Sequence, residues 1–170
     1  AFKYAESKGV LLVHAAGNDN KNIDFADNFP SDELENGEKV TNLICVGAST
    51  ISTKKSLPAS FSNYGNENVD IFAPGQDVIS TSTDSKYDIS QGTSFAAPVV
   101  TGVAALIWIY NPELTVRELK QIILTSATNM GKKKVRQPGT KNKVRFSELS
   151  TSDGVVNTYA AFLMAEQMSK

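Results

Sequence analysis

The chain has one cysteine, one histidine and almost no net charge, and each scarcity narrows the reading. Cys45 cannot close an intrachain disulfide, and its place in the apolar run Leu43-Ile44-Cys45-Val46 makes it a small core residue. His14 is the sole imidazole, so any chemistry needing a neutral base near pH 7 has one candidate within these residues. A formal charge of −1, from 17 Lys and Arg against 18 Asp and Glu, excludes a general attraction to nucleic acid or to an anionic membrane. No signal peptide is visible. Residues 95–110 hold sixteen positions without a charge, but sixteen helical residues reach only about 24 Å, short of the roughly 30 Å hydrocarbon core of a bilayer.

What is present has the balance of one globular domain: 170 residues, 41% hydrophobic and 21% charged, enough to bury a substantial core. The opening nine residues read as the last turns of an amphipathic helix, with Ala1, Phe2 and Ala5 at helical spacing and Gly9 as the stop. That opening suggests a start inside a longer gene product. Residues 10–16 are apolar apart from His14 and lie between two glycines, the pattern of a strand buried on both faces of a parallel sheet. His14 stands four residues before Asn18, about 13 Å from the strand's end at ~3.3 Å per residue. It therefore reads as a hydrogen-bonded core or sheet-face residue. Residues 43–48 read as a second buried strand, and residues 79–82 and 87–89 as short antiparallel strands around a polar turn.

Two segments are strongly charged. Between residues 19 and 38, Asp19, Asp24, Asp27, Asp32, Glu33, Glu35 and Glu38 follow no alternating ligand spacing, so a solvated acidic loop is favoured over a calcium site and no metal is expected. Residues 132–145 carry seven cations with Gly and Pro and no apolar periodicity. They read as a solvated loop, part of a surface insertion over residues 132–152, with a polyanion-binding patch as the minority alternative. Between the two charged stretches, Thr115 and Glu118 form a capping box that opens a helix with Val116, Leu119, Ile122 and Ile123 on one stripe.

The stretch that organises the rest is Gln91-Gly92-Thr93-Ser94-Phe95-Ala96-Ala97-Pro98. The helix that follows is apolar all round and is expected to be central and buried. Gly92 permits a tight turn, Thr93 can cap, and Pro98 falls in the first turn or just past it. Ser94 thus sits at a helix N-terminus, where unpaired N–H groups and the positive end of the dipole favour developing negative charge. Taken alone, such a serine is a cap. The octapeptide with the small residues Gly102, Ala104 and Ala105 behind it, however, closely resembles the nucleophile segment of the subtilisin-like serine proteases, the subtilases. The α/β-hydrolase elbow fits poorly, because Ala96 stands where its second glycine belongs.

Other segments carry the same resemblance. Ala15-Ala16-Gly17-Asn18 is similar to the family's strand end that bears an oxyanion asparagine, and Gly47-Ala48-Ser49 to its Val-Gly-Ala ending. Residues 60–65 followed by 69–75 resemble its turn and strand leading to the nucleophile, residues 154–161 its C-terminal end, and Asn28-Phe29-Pro30 the segment bordering the pocket for the residue before the scissile bond. The resemblance implies an α/β fold of three layers, a parallel sheet flanked by helices, with residues 1–170 forming the C-terminal part of a catalytic domain. It implies a serine endopeptidase that acts on polypeptide substrates in a secreted or cell-envelope setting. Ser94 would be the nucleophile, its backbone N–H and the Asn18 amide the oxyanion donors, and Ala15, Ala16, Gly17, Asn28, Gly92 and Thr93 the substrate-binding residues.

In the family the chain order is Asp, His, Ser, and neither partner motif appears before Ser94. The chain alone is therefore expected to be inactive, to need the missing N-terminal half of the domain, and to self-associate or fray near residues 1–10 where a sheet edge is left open. A different class of function keeps the fold and discards the reaction: a degenerate subtilase-like binding or scaffold module, in which Ser94 is only a cap. An unrelated α/β domain would require matches around residues 15, 48, 62 and 94 to coincide by chance.

Overall fold

The structure, a computed structural model, describes residues 1–52 and 56–168. In chain order its elements are helix α1 (Phe2–Ser7), strands β1 (Leu12–Ala15), β2 (Leu43–Ser49) and β3 (Ile71–Pro74), and the hairpin of β4 (Val78–Ser82) and β5 (Lys86–Ser90). Helices α2 (Thr93–Tyr110) and α3 (Val116–Thr125), strand β6 (Thr128–Asn129), the hairpin of β7 (Lys134–Arg136) and β8 (Lys143–Arg145), strand β9 (Gly154–Val155) and helix α4 (Thr158–Met168) follow. The central sheet has the spatial order β1-β2-β3-β9-β6. Strands β1, β2, β3 and β9 pair in parallel, and β6 runs antiparallel beside β9. This is an α/β fold with a mostly parallel sheet flanked by helices.

Side-chain alternation gives the two faces of the sheet different partners. Ile44, Val46 and Ala48 of β2, with Ile71 and Ala73 of β3, pack into one cluster with residues of α2, α3 and α4. Cys45 and Phe72 point the other way, into a second cluster with Tyr64, Val135, Phe146 and Leu149. Covered on both sides, β2 is buried at all seven positions. β1 differs from the expectation of a strand buried on both faces: each of its four residues is half-buried. Its run of apolar residues reports what the strand can bury, but β1 lies at the sheet edge and has β2 as its one neighbour.

Helix α2 lies against β1, β2 and β3 with one face only. Thr93, Ala96, Ala97, Val100, Val103, Ala104 and Ile107 are buried at three- and four-residue spacing, whereas Leu106, Ile109 and Tyr110 are exposed. Burial all round, expected from composition, is thus corrected to burial of one stripe. Pro98 sits inside the helix on the solvent side, and its missing N–H leaves the Ser94 carbonyl without the donor one turn on. The capping box of α3 forms as expected, with Thr115 N donating to Glu118 Oε2 at 2.8 Å and Glu118 N to Thr115 Oγ1 at 3.3 Å, and Val116, Leu119, Ile122 and Ile123 are all buried.

The two charged segments are more deeply built in than their composition implies. Asp24, expected in a solvated acidic loop, accepts backbone N–H bonds from Asn66, Glu67 and Asn68 at 2.8, 3.1 and 2.9 Å and so pins one loop to another. Residues 132–152, expected as a solvated surface insertion, form much of the second core cluster. Val135 and Phe146 are 0% exposed and Leu149 is 1% exposed. The Phe146 ring meets Phe72 edge-on with centroids 5.2 Å apart. In the hairpin Lys134-Val135-Arg136 pairs antiparallel with Lys143-Val144-Arg145, so valines point inward and cations outward. With one apolar residue per three-residue strand, that alternation is too short to register as a period among seven cations. Replacing Phe146 by Ala is expected to remove about 3–5 kcal/mol of stability in urea unfolding, the cost of an emptied aromatic core site; a loss near that of a surface substitution would return this segment to the periphery.

Candidate functional site

The C-terminal end of β1 and the N-terminus of α2 meet through Thr93, which is 1% exposed. Its backbone N–H donates to Asn18 Oδ1 at 2.8 Å, its hydroxyl donates to the same oxygen at 3.1 Å, and its Oγ1 accepts from Gly17 N–H at 3.1 Å. Thr93 is therefore not the helix cap expected from its residue type. Gly92 holds the N-cap position, and the oxygen that satisfies the first helical N–H comes from Asn18 on the adjacent strand end. The turn is fixed from its other side, where Gly92 N–H donates to Gly75 O beyond the end of β3 at 2.8 Å.

With its oxygen held by Thr93, the Asn18 side chain has Nδ2 free to face outward. A Cβ built on Gly92 would lie 3.0 Å from Ser94 Oγ and 3.7 Å from Asn18 Nδ2, so hydroxyl and amide nitrogen border one small space. Ser94 and Asn18 are both exposed, while Gly92 and Thr93 beneath them are buried. The expected pair is brought together.

A third residue holds the strand end in place, and residue type alone gave it no role. Asn63, 2% exposed, accepts from Asp19 N–H at 3.0 Å and Lys21 N–H at 2.9 Å and donates to Ala16 O at 2.9 Å. It brackets Asn18 on both sides. Gly17 must be glycine beside it: its φ is +101°, and a Cβ there would fall 2.5 Å from Asn63 Nδ2. Asn in a glycine-bounded turn is the ordinary turn residue, so nothing in the local sequence marks this role.

On the other side of Gly17, Asn28 Nδ2 lies 3.4 Å from His14 Nε2, while its Oδ1 is 3.7 Å from where a Cβ on Gly17 would be. Both line a cleft of about 530 Å³ beneath residues 23–35, with Leu43, Cys45 and Asp70 on its floor. Burial holds the His14 pKa below its ordinary 6.5. His14 thus keeps the sheet-face place expected for it, hydrogen-bonded to Asn28. Among the described residues no side chain accepts a hydrogen bond from Ser94 Oγ, and no group of three or more His, Cys, Asp or Glu residues is arranged to hold a metal ion. Ala15, Ala16 and Gly17 continue from β1 toward Asn18, Ala16 fully buried and the other two half-buried. Ser94 Oγ and Asn18 Nδ2 thus share one small space, and among the described residues no side-chain base is hydrogen-bonded to the hydroxyl.

The Subtilase family profile matches residues 1–146. Alkaline protease 1 of Emericella nidulans is 47% identical over 107 residues, which is 61% of this chain and 23% of that protein. The extracellular serine proteinase of a Thermus species is 41% identical over 131 residues, 75% of this chain and 28% of that protein. Among solved structures, a chain of the subtilase cytotoxin SubAB assembly matches with a TM-score of 0.78 and 26% identity over 99% of this chain and 53% of its own. A protease from Pseudoalteromonas arctica matches with a TM-score of 0.70 and 31% identity over 96% of this chain and 45% of its own. The chain spans about a quarter of these two curated relatives and about half of these two solved chains.

Two outcomes follow from the site's geometry. Asn63→Ala is expected to lower stability by about 2–3 kcal/mol in urea unfolding, since three backbone partners lose their bonds together. For His14 the folded pKa lies below the unfolded one, so the folded state binds fewer protons; its contribution is present above pH 6.5 and is lost as pH falls below that value. A histidine titration followed by NMR should find its midpoint below 6.5, and His14→Gln should flatten the fall in stability below that pH.

Proposed function

The chain belongs to the subtilase family, and from that membership we propose that it carries the nucleophile and the oxyanion donors of a serine endopeptidase acting on polypeptides. The observation that supports this reading is the lock on Asn18. By occupying Oδ1, Thr93 dictates that Nδ2 faces the space bordered by Ser94 Oγ. In the reaction Ser94 Oγ attacks the carbonyl carbon of a peptide bond while a base takes its proton. The carbonyl oxygen becomes an oxyanion that accepts from Asn18 Nδ2 and from the Ser94 backbone N–H, one of the first N–H groups of α2 with no carbonyl a turn back. Collapse of the tetrahedral intermediate expels the protonated amine and leaves an acyl group on Ser94, which water then removes.

The base and its orienting carboxylate are assigned to a segment upstream of this chain, the N-terminal half of the catalytic domain. The half-buried edge of β1 is where we place that half, since an edge strand leaves one row of backbone N–H and C=O groups unpaired. The same edge is the site at which copies of the isolated chain would associate. We place the parent protein in a secreted or cell-envelope setting, as the name of the Thermus relative has it. No cofactor enters the scheme, and calcium has no assigned role. The lack of a base at Ser94 among the described residues equally favours a second reading, a binding or scaffold module on the same fold.

A fluorophosphonate probe is expected to leave Ser94 of the 170-residue chain unmodified at protease-like rates; stoichiometric labelling would mean that the base is already present. In a protein that supplies the upstream histidine and aspartate, Ser94 is expected to label and casein to be cleaved. Asn18→Ala should there reduce kcat by about 10²–10³, a magnitude known from a subtilase and carried over to this one. An unreactive Ser94 in that setting would hand the chain to the binding-module reading.

A further inference from the structure

We propose that the β7–β8 hairpin is a recognition element, whose Arg136 and Lys141 line a cleft at Asn20, two residues past Asn18, that takes acidic side chains of a polypeptide. That the occupant is a polypeptide rests on the peptidase reading above.

The hairpin is held rigidly. Its base is anchored by Val135 and Phe146 in the core, and its tip is tied by Gln137, whose Nε2 donates to the Tyr64 hydroxyl and whose N–H donates to Asn142 O at 3.0 Å. The tip rests on the strand end that carries Asn18. Gly139, with φ +70°, approaches Asn20 so closely that a Cβ would fall 2.5 Å from its side-chain carbon, and Asn20 is two residues beyond Asn18. Asn20 N–H donates in turn to Phe61 O at 2.9 Å, which brings a second segment to the same place.

Between these pieces lies a cleft of about 470 Å³ lined by Asn20, Ser60, Phe61, Arg136, Thr140 and Lys141. Arg136 also lines an adjoining cleft of about 370 Å³ with Gln76 and Asp77. Among the described residues, neither Arg136 nor Lys141 is in an ion pair, and no carboxylate lines the first cleft. Seven cations and no acid fall in residues 132–145 of a chain whose net charge is −1, so charge is segregated onto this hairpin. A guanidinium and an ammonium without partners, on a rigid support beside an open cleft, are complementary to carboxylates, and Arg can engage one through two parallel bonds. The cleft shares no residue with the one that holds Asn28. A polynucleotide is the poorer occupant, since the acid excess over the rest of the chain repels an extended polyanion.

The test is a titration of the ¹⁵N-labelled 170-residue chain with the peptide Ala-Ala-Glu-Asp-Ala-Ala and with its uncharged counterpart Ala-Ala-Gln-Asn-Ala-Ala. The acidic peptide is expected to bind about fivefold to tenfold more tightly, the scale of two partly exposed charge pairs. Its shifts should map to Asn20, Phe61 and the hairpin tip. Charge reversal at both positions, Arg136→Glu with Lys141→Glu, should abolish the preference while leaving the melting temperature unchanged. Equal binding of the two peptides, a preference that survives the double reversal, or tighter binding of an oligothymidylate of the same charge would overturn the proposal. The fluorophosphonate result is independent of this contrast, so failure of the peptidase reading and failure of the acidic cleft are told apart.

Discussion

The site depends on one side-chain amide being held by a single end. Asn18 Oδ1 receives both the backbone N–H and the hydroxyl of Thr93, which decides that the opposite end, a donor, faces Ser94. Neither residue could arrange this alone, because Asn18 follows a strand end and Thr93 begins a helix more than seventy positions later. What brings them together is the register of a parallel sheet. Ala15 and Ile71 both pair with Val46, so β1 ends level with the start of β3, and the chain running on from Ala15 to Asn18 heads for the carboxyl edge where β3 finishes opposite Ser49. The chain leaves β3 at that edge, makes the β4–β5 hairpin, and returns along α2 from the same place. Sites in parallel sheets lie at the carboxyl ends of strands for this topological reason.

The two clusters on either side of the sheet divide the work. The face under α2, α3 and α4 is wholly apolar in its buried strand positions and fixes where the helix begins. The opposite face is closed by loops and by the β7–β8 hairpin, with the Phe72–Phe146 contact at its centre. Strands whose two faces are covered in such different ways still look alike in sequence, since a buried side chain has the same apolar requirement whether a helix or a hairpin covers it.

That degeneracy explains how much was legible. Ser94 was readable at a helix start because a turn, a hydroxyl and an apolar helix occur in a fixed local order, whereas Asn18 was singled out only by the family resemblance of residues 15–18, and Thr93 was misread as the cap. The α3 capping box was readable for the same local reason. The half-burial of β1 was not, because it depends on which strands lie beside it. The exposed stripe of α2 was not, since its outward positions are filled by apolar residues as well. Nor was the hairpin over residues 132–152, where two valines and a phenylalanine carry the packing among seven cations. Asp24 and Asn63 bind backbone groups some forty positions away in sequence, and no spacing rule connects such partners.

Asn63 and Asn18 follow one rule, which accounts for the choice of residue. Asn63 must accept from Asp19 and Lys21 and donate to Ala16 O, so an aspartate there would supply the acceptor and lose the donor. Asn18 must accept from Thr93 and keep a donor for the space beside Ser94. An aspartate would place negative charge where the arrangement favours an anion, and an aliphatic residue would leave the Thr93 N–H buried and unpaired. Gly17 has no room for a Cβ, because the Asn63 amide closes on the same turn of backbone. The geometry at Ser94 therefore rests on two carboxamides, Asn63 bonded at both ends and Asn18 held at its oxygen, and the absence of a Cβ on Gly17 is what lets Asn63 reach its partners.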